Sequence, residues 1–170
     1  MSKLLTLKDD RLYHYDAGQV RPEWIDMNGH MNVAYYVAAF DMAVDGQFHA
    51  MGLDHQERET GGASMFAAEM HILYKRELSQ GEPIAITFQI LDFDDKRLHS
   101  ILHMYHGAEG FLSATCELMQ LSVNLNARRT TAWPPHVLAK LQALYEPQRG
   151  LPRPPEVGRV MGVPRRAPAG

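Results

Sequence analysis

Apolar and polar residues alternate loosely over residues 11–20, "RLYHYDAGQV", which predicts a first strand. A polar turn follows Pro22, and from Asn32 the period lengthens. Val33, Val37, Phe40, Val44, Phe48 and Met51 recur at intervals of three and four, which predicts an amphipathic helix. Asn32 or Asn28 is placed to cap it, and Gly52 to stop it. Ala34, Ala38, Ala39, Ala43 and Ala50 spread the apolar surface round much of the helix, as suits a helix wrapped by a curved sheet. The polar run "DHQERETGG", 54–62, reads as a loop.

Period-two runs come next, over 64–75, 83–91, 97–106 and 111–123. In the first, Phe66, Ala68, Met70, Ile72 and Tyr74 fall on one face, with Ala67, Glu69, His71, Leu73 and Lys75 on the other. Short turns between runs of this length predict an antiparallel meander. A second helix over 134–146 carries the stripe Val137, Leu138, Leu141 and Leu144 behind a Pro134–Pro135 start. The order of elements predicts one α+β domain over 1–146, a curved antiparallel sheet of about five strands around one long helix. The tail 147–170, rich in proline, glycine and arginine, has too few apolar groups to order itself. It is expected to be flexible or draped on a partner subunit.

Composition narrows the function classes. Net charge is -3 and the pI near 6.3, which leaves no electrostatic footprint for nucleic acid. No run approaches the roughly 18 apolar residues of a membrane helix, and the N-terminus lacks the apolar stretch of a signal peptide. The single cysteine, Cys116, excludes an internal disulfide. These features point to a cytoplasmic protein that binds neither nucleic acid nor membrane. No G-x-S-x-G, G-x-x-x-x-G-K, G-x-G-x-x-G or H-E-x-x-H motif is present, and the histidines show no metal-ligand spacing, so no cofactor and no metal are expected.

The chemistry concentrates in "EWIDMNGHMNVAYYV", Glu23 to Val37, where Asp26, Asn28, His30 and Asn32 alternate just ahead of the helix. A helix N-terminus offers unpaired N–H groups and partial positive charge. Aimed at a carbonyl, such donors act as an oxyanion hole. A carboxylate beside them can attack that carbonyl or activate water. Asp, Asn and His are also common helix caps, and Asn-Gly is a common turn, so spacing alone leaves a structural role open.

The motif D-x-N-x-H-x-N at Asp26, Asn28, His30 and Asn32, followed by Tyr35 and Tyr36, resembles the turn of the hotdog-fold thioesterases. "EMHILYKRELSQGEPI" and "SVNLNARRTTAWP" resemble that family's later strands, so the likeness spans roughly residues 10–145. The pattern is similar to the 4-hydroxybenzoyl-CoA thioesterase group, to acyl-carrier-protein thioesterases, and to the short thioesterases of carnitine degradation that act on betainyl-CoA. The resemblance implies a hotdog fold and hydrolysis of an acyl-CoA substrate. It implies Asp26 as general base or nucleophile, Asn28 and His30 as orienting groups, and backbone N–H groups of Gly29, Met31 and Asn32 as the oxyanion hole. It also implies a homodimer or homotetramer formed through sheet edges, with sites at the interface. Two other activities remain open: hydration of acyl thioesters, and acyl-CoA or acyl-carrier binding without catalysis.

Further candidates for substrate binding each carry a structural alternative. Glu69 and His71 share a strand face with Lys75, and can complete the site or form a solvated face. Asp41 and Asp45, one helical turn apart, can attract a cationic acyl group or pair with cations from the sheet. Trp24, Tyr35 and Tyr36 can form an aromatic wall or pack in the core. Arg128 and Arg129 can meet coenzyme A phosphates or lie in a solvated loop.

Overall fold

A computed structural model describes residues 5–53, 59 and 62–163. The strands are β1 (Thr6–Leu7), β2 (Tyr13–Gln19), β3 (Ala63–Tyr74), β4 (Pro83–Phe93), β5 (Arg97–His106), β6 (Leu112–Asn124) and β7 (Arg129–Thr130). The helices are α1 (Val33–Met51) and α2 (Pro135–Tyr145). One antiparallel sheet runs β1-β2-β4-β5-β6-β3, with β7 paired to β6, and α1 lies against its concave face. This is the α+β hotdog arrangement, with five long strands and two two-residue ones. Most of the expected 54–62 loop lies outside the described residues.

Local signals set the ends of α1. Asn32, in extended backbone, accepts the Ala34 N–H on its side-chain oxygen at 3.0 Å. At the other end Gly52 adopts a left-handed φ of 75° that a side chain would strain. Between them Tyr36, Ala39, Phe40, Ala43, Val44 and Met51 are buried against the inner side chains of the sheet, among them Ile84, Ile86, Phe88, Leu102, Met104 and Cys116. Val33 is 57% exposed, so the buried stripe starts later than the sequence periodicity suggests. Burial also pushes the Cys116 thiol up to about 12, which makes it a core hydrophobe rather than a nucleophile.

The faces of β3 differ from the alternation expected. A bulge between Ala67 and Glu69 inserts one residue against β6 and inverts the parity beyond it. Met65, Ala67 and Met70 therefore face α1, whereas Phe66, Glu69 and His71 point to the outer face. Phe66 and Met70 do not share a face, because the bulge separates them.

The segment after α2 runs over the outer face of this chain's own sheet as far as Arg159. Beyond Phe88, β2 no longer pairs with β4, and the buried Gln148 side chain takes its place. Its amide accepts the Ile90 N–H at 2.8 Å and donates to the Phe88 carbonyl at 3.0 Å. Leaving either buried backbone group unpaired costs about 1–3 kcal/mol, which explains how a segment poor in apolar residues is held. Further along, Gln89 donates to the Pro152 carbonyl, Glu156 lies between Lys75 (3.5 Å) and His103 (3.8 Å), and Gly158 N–H donates to Glu117 at 2.7 Å. Among the described residues, no helix is long and apolar enough to cross a membrane, and no group of three or more His, Cys, Asp or Glu side chains could hold a metal ion.

Candidate active site

The turn ahead of α1 is a tight hairpin, closed by an antiparallel bridge between Ile25 and Met31. Asp26 N–H donates to the His30 carbonyl at 3.1 Å, and Gly29 N–H to the Asp26 carbonyl at 3.0 Å. Gly29 takes the left-handed φ of 84° that this reversal needs. The Asp26 carboxylate accepts the Asn28 N–H on Oδ1 at 2.8 Å, an Asx turn that fixes the side chain and leaves Oδ2 for other work. Asp26 and His30 are half-buried, and Asn28 is exposed. His30 points along the strand side of the turn, with Nδ1 3.4 Å from the Met31 carbonyl and Nε2 3.9 Å from Glu77.

The hairpin is anchored by distant backbone. Met31 N–H donates to the Leu78 carbonyl at 2.8 Å, and Asn32 N–H to the Trp24 carbonyl at 2.9 Å. The N–H groups of Gly29, Met31 and Asn32, expected as an oxyanion hole, are thus each already bonded to a backbone carbonyl. Ala34 N–H is held by the Asn32 side chain and Tyr35 N–H by the Asn32 carbonyl. Among the described residues, Val33 N–H is the donor of this first helical turn with no acceptor.

Beside Val33 a shallow cleft of about 170 Å³ is lined by His30, Met31, Tyr36, Tyr74, Arg76 and Glu77 with their neighbours. Its floor is fixed by aromatic contacts. Tyr36 meets Tyr74 edge-on at 5.3 Å, and its hydroxyl accepts the Leu78 N–H at 3.2 Å. Arg76 lies over Phe111 at 3.7 Å, which holds a cation at the rim that the sequence reading missed. Only its position two residues past a strand end, next to Leu78, signals it. Asp26 does not line this cleft within one chain.

The other candidates scatter. Trp24 stacks on Tyr35 at 5.5 Å with Arg21 over its ring at 5.0 Å, so these aromatics pack on one another rather than forming an open wall. Asp41 and Asp45 are exposed on α1 and line a separate groove toward β3 and β6. Glu69 and His71 line a cleft of about 330 Å³ on the outer face with His99, Glu117 and Arg159, on the opposite side of the sheet from α1. Arg128 and Arg129 adjoin the Asn124 end of β6, where β3 starts, while the turn packs where β3 ends. In one chain the structure therefore brings His30, Met31, Val33 and Tyr36 to the cleft, with Asp26 on the adjoining hairpin, and leaves the remaining candidates apart.

The thioesterase-like superfamily pattern matches residues 20–141. A betainyl-CoA thioesterase of Pseudomonas aeruginosa is 39% identical over 145 residues, covering 85% of this chain and 91% of that protein. A bifunctional L-carnitine dehydrogenase/betainyl-CoA thioesterase from a Rhizobium species is 34% identical over 88% of this chain, which spans 32% of the longer protein. Among solved structures, a Staphylococcus aureus protein crystallised with CoA superposes with a TM-score of 0.84 and 30% identity, over 96% of this chain and 99% of that one. With the curved sheet, the single long helix and the capped turn at its start, these matches make the chain a hotdog-fold thioesterase that belongs to the thioesterase-like superfamily.

Proposed function

We propose that the chain hydrolyses a small acyl-CoA, with betainyl-CoA the first substrate to try, and that Asp26 drives the reaction from the mouth of α1. The observation that carries this is the Asp26 carboxylate itself. One oxygen is pinned by the Asn28 N–H and the other is left over, a few residues from the start of a helix. As general base, Oδ2 takes a proton from a water whose oxygen attacks the thioester carbon. The carbonyl electrons move onto oxygen, where Val33 N–H and the helix dipole stabilise them. They return as the C–S bond breaks, releasing the free acid and the coenzyme A thiolate, which is then protonated. As nucleophile, Asp26 would form a mixed anhydride that water cleaves to the same products. In both routes Asn28 and His30 orient the water, and Arg76 at the rim suits a coenzyme A phosphate.

The site is completed by a second copy. β3 is the sheet's edge strand; it exposes Phe66 (45%), Met70 (38%) and Tyr74 (49%), and the Tyr74 hydroxyl lies 3.4 Å from the Val33 carbonyl. Free N–H and C=O groups along such an edge pair readily with an identical edge. Antiparallel pairing of two β3 strands sets the α1 helices of two copies side by side and antiparallel. The groove beside the middle of one helix then runs toward the turn of the other, so each cleft gains a wall. A cytoplasmic setting fits the unpaired, buried Cys116.

Thiol release from a panel of acyl-CoA esters, with hydration of a 2-enoyl-CoA followed in parallel, tests this function. Steady release of thiol from at least one ester is the expected result. Hydration without release would make the chain a hydratase, and binding without either would make it a carrier-binding protein.

A further inference from the structure

Leu78, 0% exposed, lies just beyond β3, and both of its backbone groups join elements that meet at the candidate site. Its N–H donates to the Tyr36 hydroxyl at 3.2 Å, and its carbonyl accepts the Met31 N–H at 2.8 Å. Tyr36 stands in the first turn of α1, and Met31 closes the hairpin that carries Asp26. The two bonds therefore link helix and hairpin by a route that does not follow the chain between them. That chain passes through Gly29 at a left-handed φ of 84°, with open space around it. Such a run does not by itself fix how far the Asp26 carboxylate stands from Val33 N–H.

The Tyr36 hydroxyl is itself held. Ser113 on β6, also 0% exposed, hydrogen-bonds it and gives its own proton to the Arg76 carbonyl at 2.7 Å. A hydroxyl that donates once still accepts, so Ser113 Oγ is placed to take the Tyr36 proton while Tyr36 Oη takes the Leu78 N–H. The Ser113 carbonyl accepts the N–H groups of Lys75 and Arg76 at 2.8 and 3.1 Å, which fixes the segment ahead of Leu78. Burial pushes the Tyr36 hydroxyl above its usual range, so it keeps its proton at neutral pH. With the hydroxyl spent on Leu78 and Ser113, the ring of Tyr36 is what faces the cleft. We propose that Tyr36 is a positioning residue whose hydroxyl, acting through Leu78, holds the hairpin where the Asp26 carboxylate and Val33 N–H can act on one thioester. The inference rests on the thioesterase function proposed above. Groups that share one reaction tolerate little misplacement, since a shift of about 1 Å costs about 100-fold in rate.

Tyr36→Phe is the test, because it deletes one oxygen and keeps the ring with its edge-on contact to Tyr74 at 5.3 Å. The Leu78 N–H then loses its acceptor. The kcat for thiol release is expected to fall about tenfold or more, with KM within about twofold of wild type. In the Asp26→Asn background the same substitution is expected to change the residual rate by less than about twofold, since no carboxylate is left to place. An unchanged kcat in Tyr36→Phe overturns the proposal. So does a raised KM at constant kcat, which would make the hydroxyl a substrate contact. An equal loss in both backgrounds overturns it too, as a general loosening of the fold. If the wild type cleaves no ester, or Asp26→Asn costs nothing, the reading of the thioesterase site fails by itself, and amide hydrogen exchange decides the hold. Met31 N–H exchanging about tenfold faster in Tyr36→Phe, measured against the β5 amides, supports it, and unchanged exchange overturns it.

Discussion

Asp26→Asn lowers kcat for thiol release by about 100-fold or more, the usual worth of a positioned acid–base group. The substitution keeps the shape of the side chain and an oxygen able to accept the Asn28 N–H at 2.8 Å, so the hairpin stays closed. It removes the negative charge and the basicity that either route needs from Oδ2. KM for the acyl-CoA should change little, because Asp26 does not line, within one chain, the cleft proposed to hold the substrate. Thermal unfolding followed beside the kinetics separates a chemical loss from a folding one. A variant as active as wild type makes Asp26 a turn residue and nothing more.

Phe66→Asp is expected to break the proposed edge-to-edge dimer and, with it, activity. Phe66 stands on the outer face of the edge strand, 45% exposed and one residue from the Ala67/Glu69 bulge. In an edge-to-edge dimer two copies of the new carboxylate enter one apolar seam, close to the existing Glu69 of each chain. Burying an unpaired charge costs several kcal/mol, so the dimer dissociation constant should rise by about 100-fold or more. Light scattering across a dilution series reads the mass, and kcat/KM should fall in step with the dimer fraction. A fully active monomer would place the whole site within one chain.

Local signals were legible in the sequence, and pairings were not. The limits of α1 follow from Asn32 and Gly52, each of which acts on its own turn of backbone. The crowded motif was visible for the same reason, since its hairpin closes between Ile25 and Met31. The parity of β3 was hidden, because a bulge exists only with respect to the strand opposite. The acceptors of the N–H groups expected as oxyanion donors were hidden in the same way. Nothing near Met31 announces that Leu78 will take its N–H, nor anything near Asn32 that Trp24 will take its own. The tail looked unable to order itself because its composition was weighed by apolar area, whereas one buried amide, Gln148, ties it to β4. Arg128 and Arg129 read as phosphate ligands by residue type, and within one chain the β6–β7 pairing sets them at the end of the sheet away from the turn. Asp41 and Asp45 were placed together by helical spacing alone, and the groove they share became visible only with β3 and β6 in position.

The most direct test of the central claim is a crystal structure of the full chain with a ketone analogue of the acyl-CoA, in which a methylene replaces the sulfur and hydrolysis stops. The ketone oxygen is expected within about 3 Å of Val33 N–H, the distance of an ordinary N–H···O bond, with Asp26 Oδ2 facing the ketone carbon directly or through one water. A ketone seated elsewhere, in the outer cleft of Glu69, His71 and His99 for instance, with the α1 mouth empty, would contradict it.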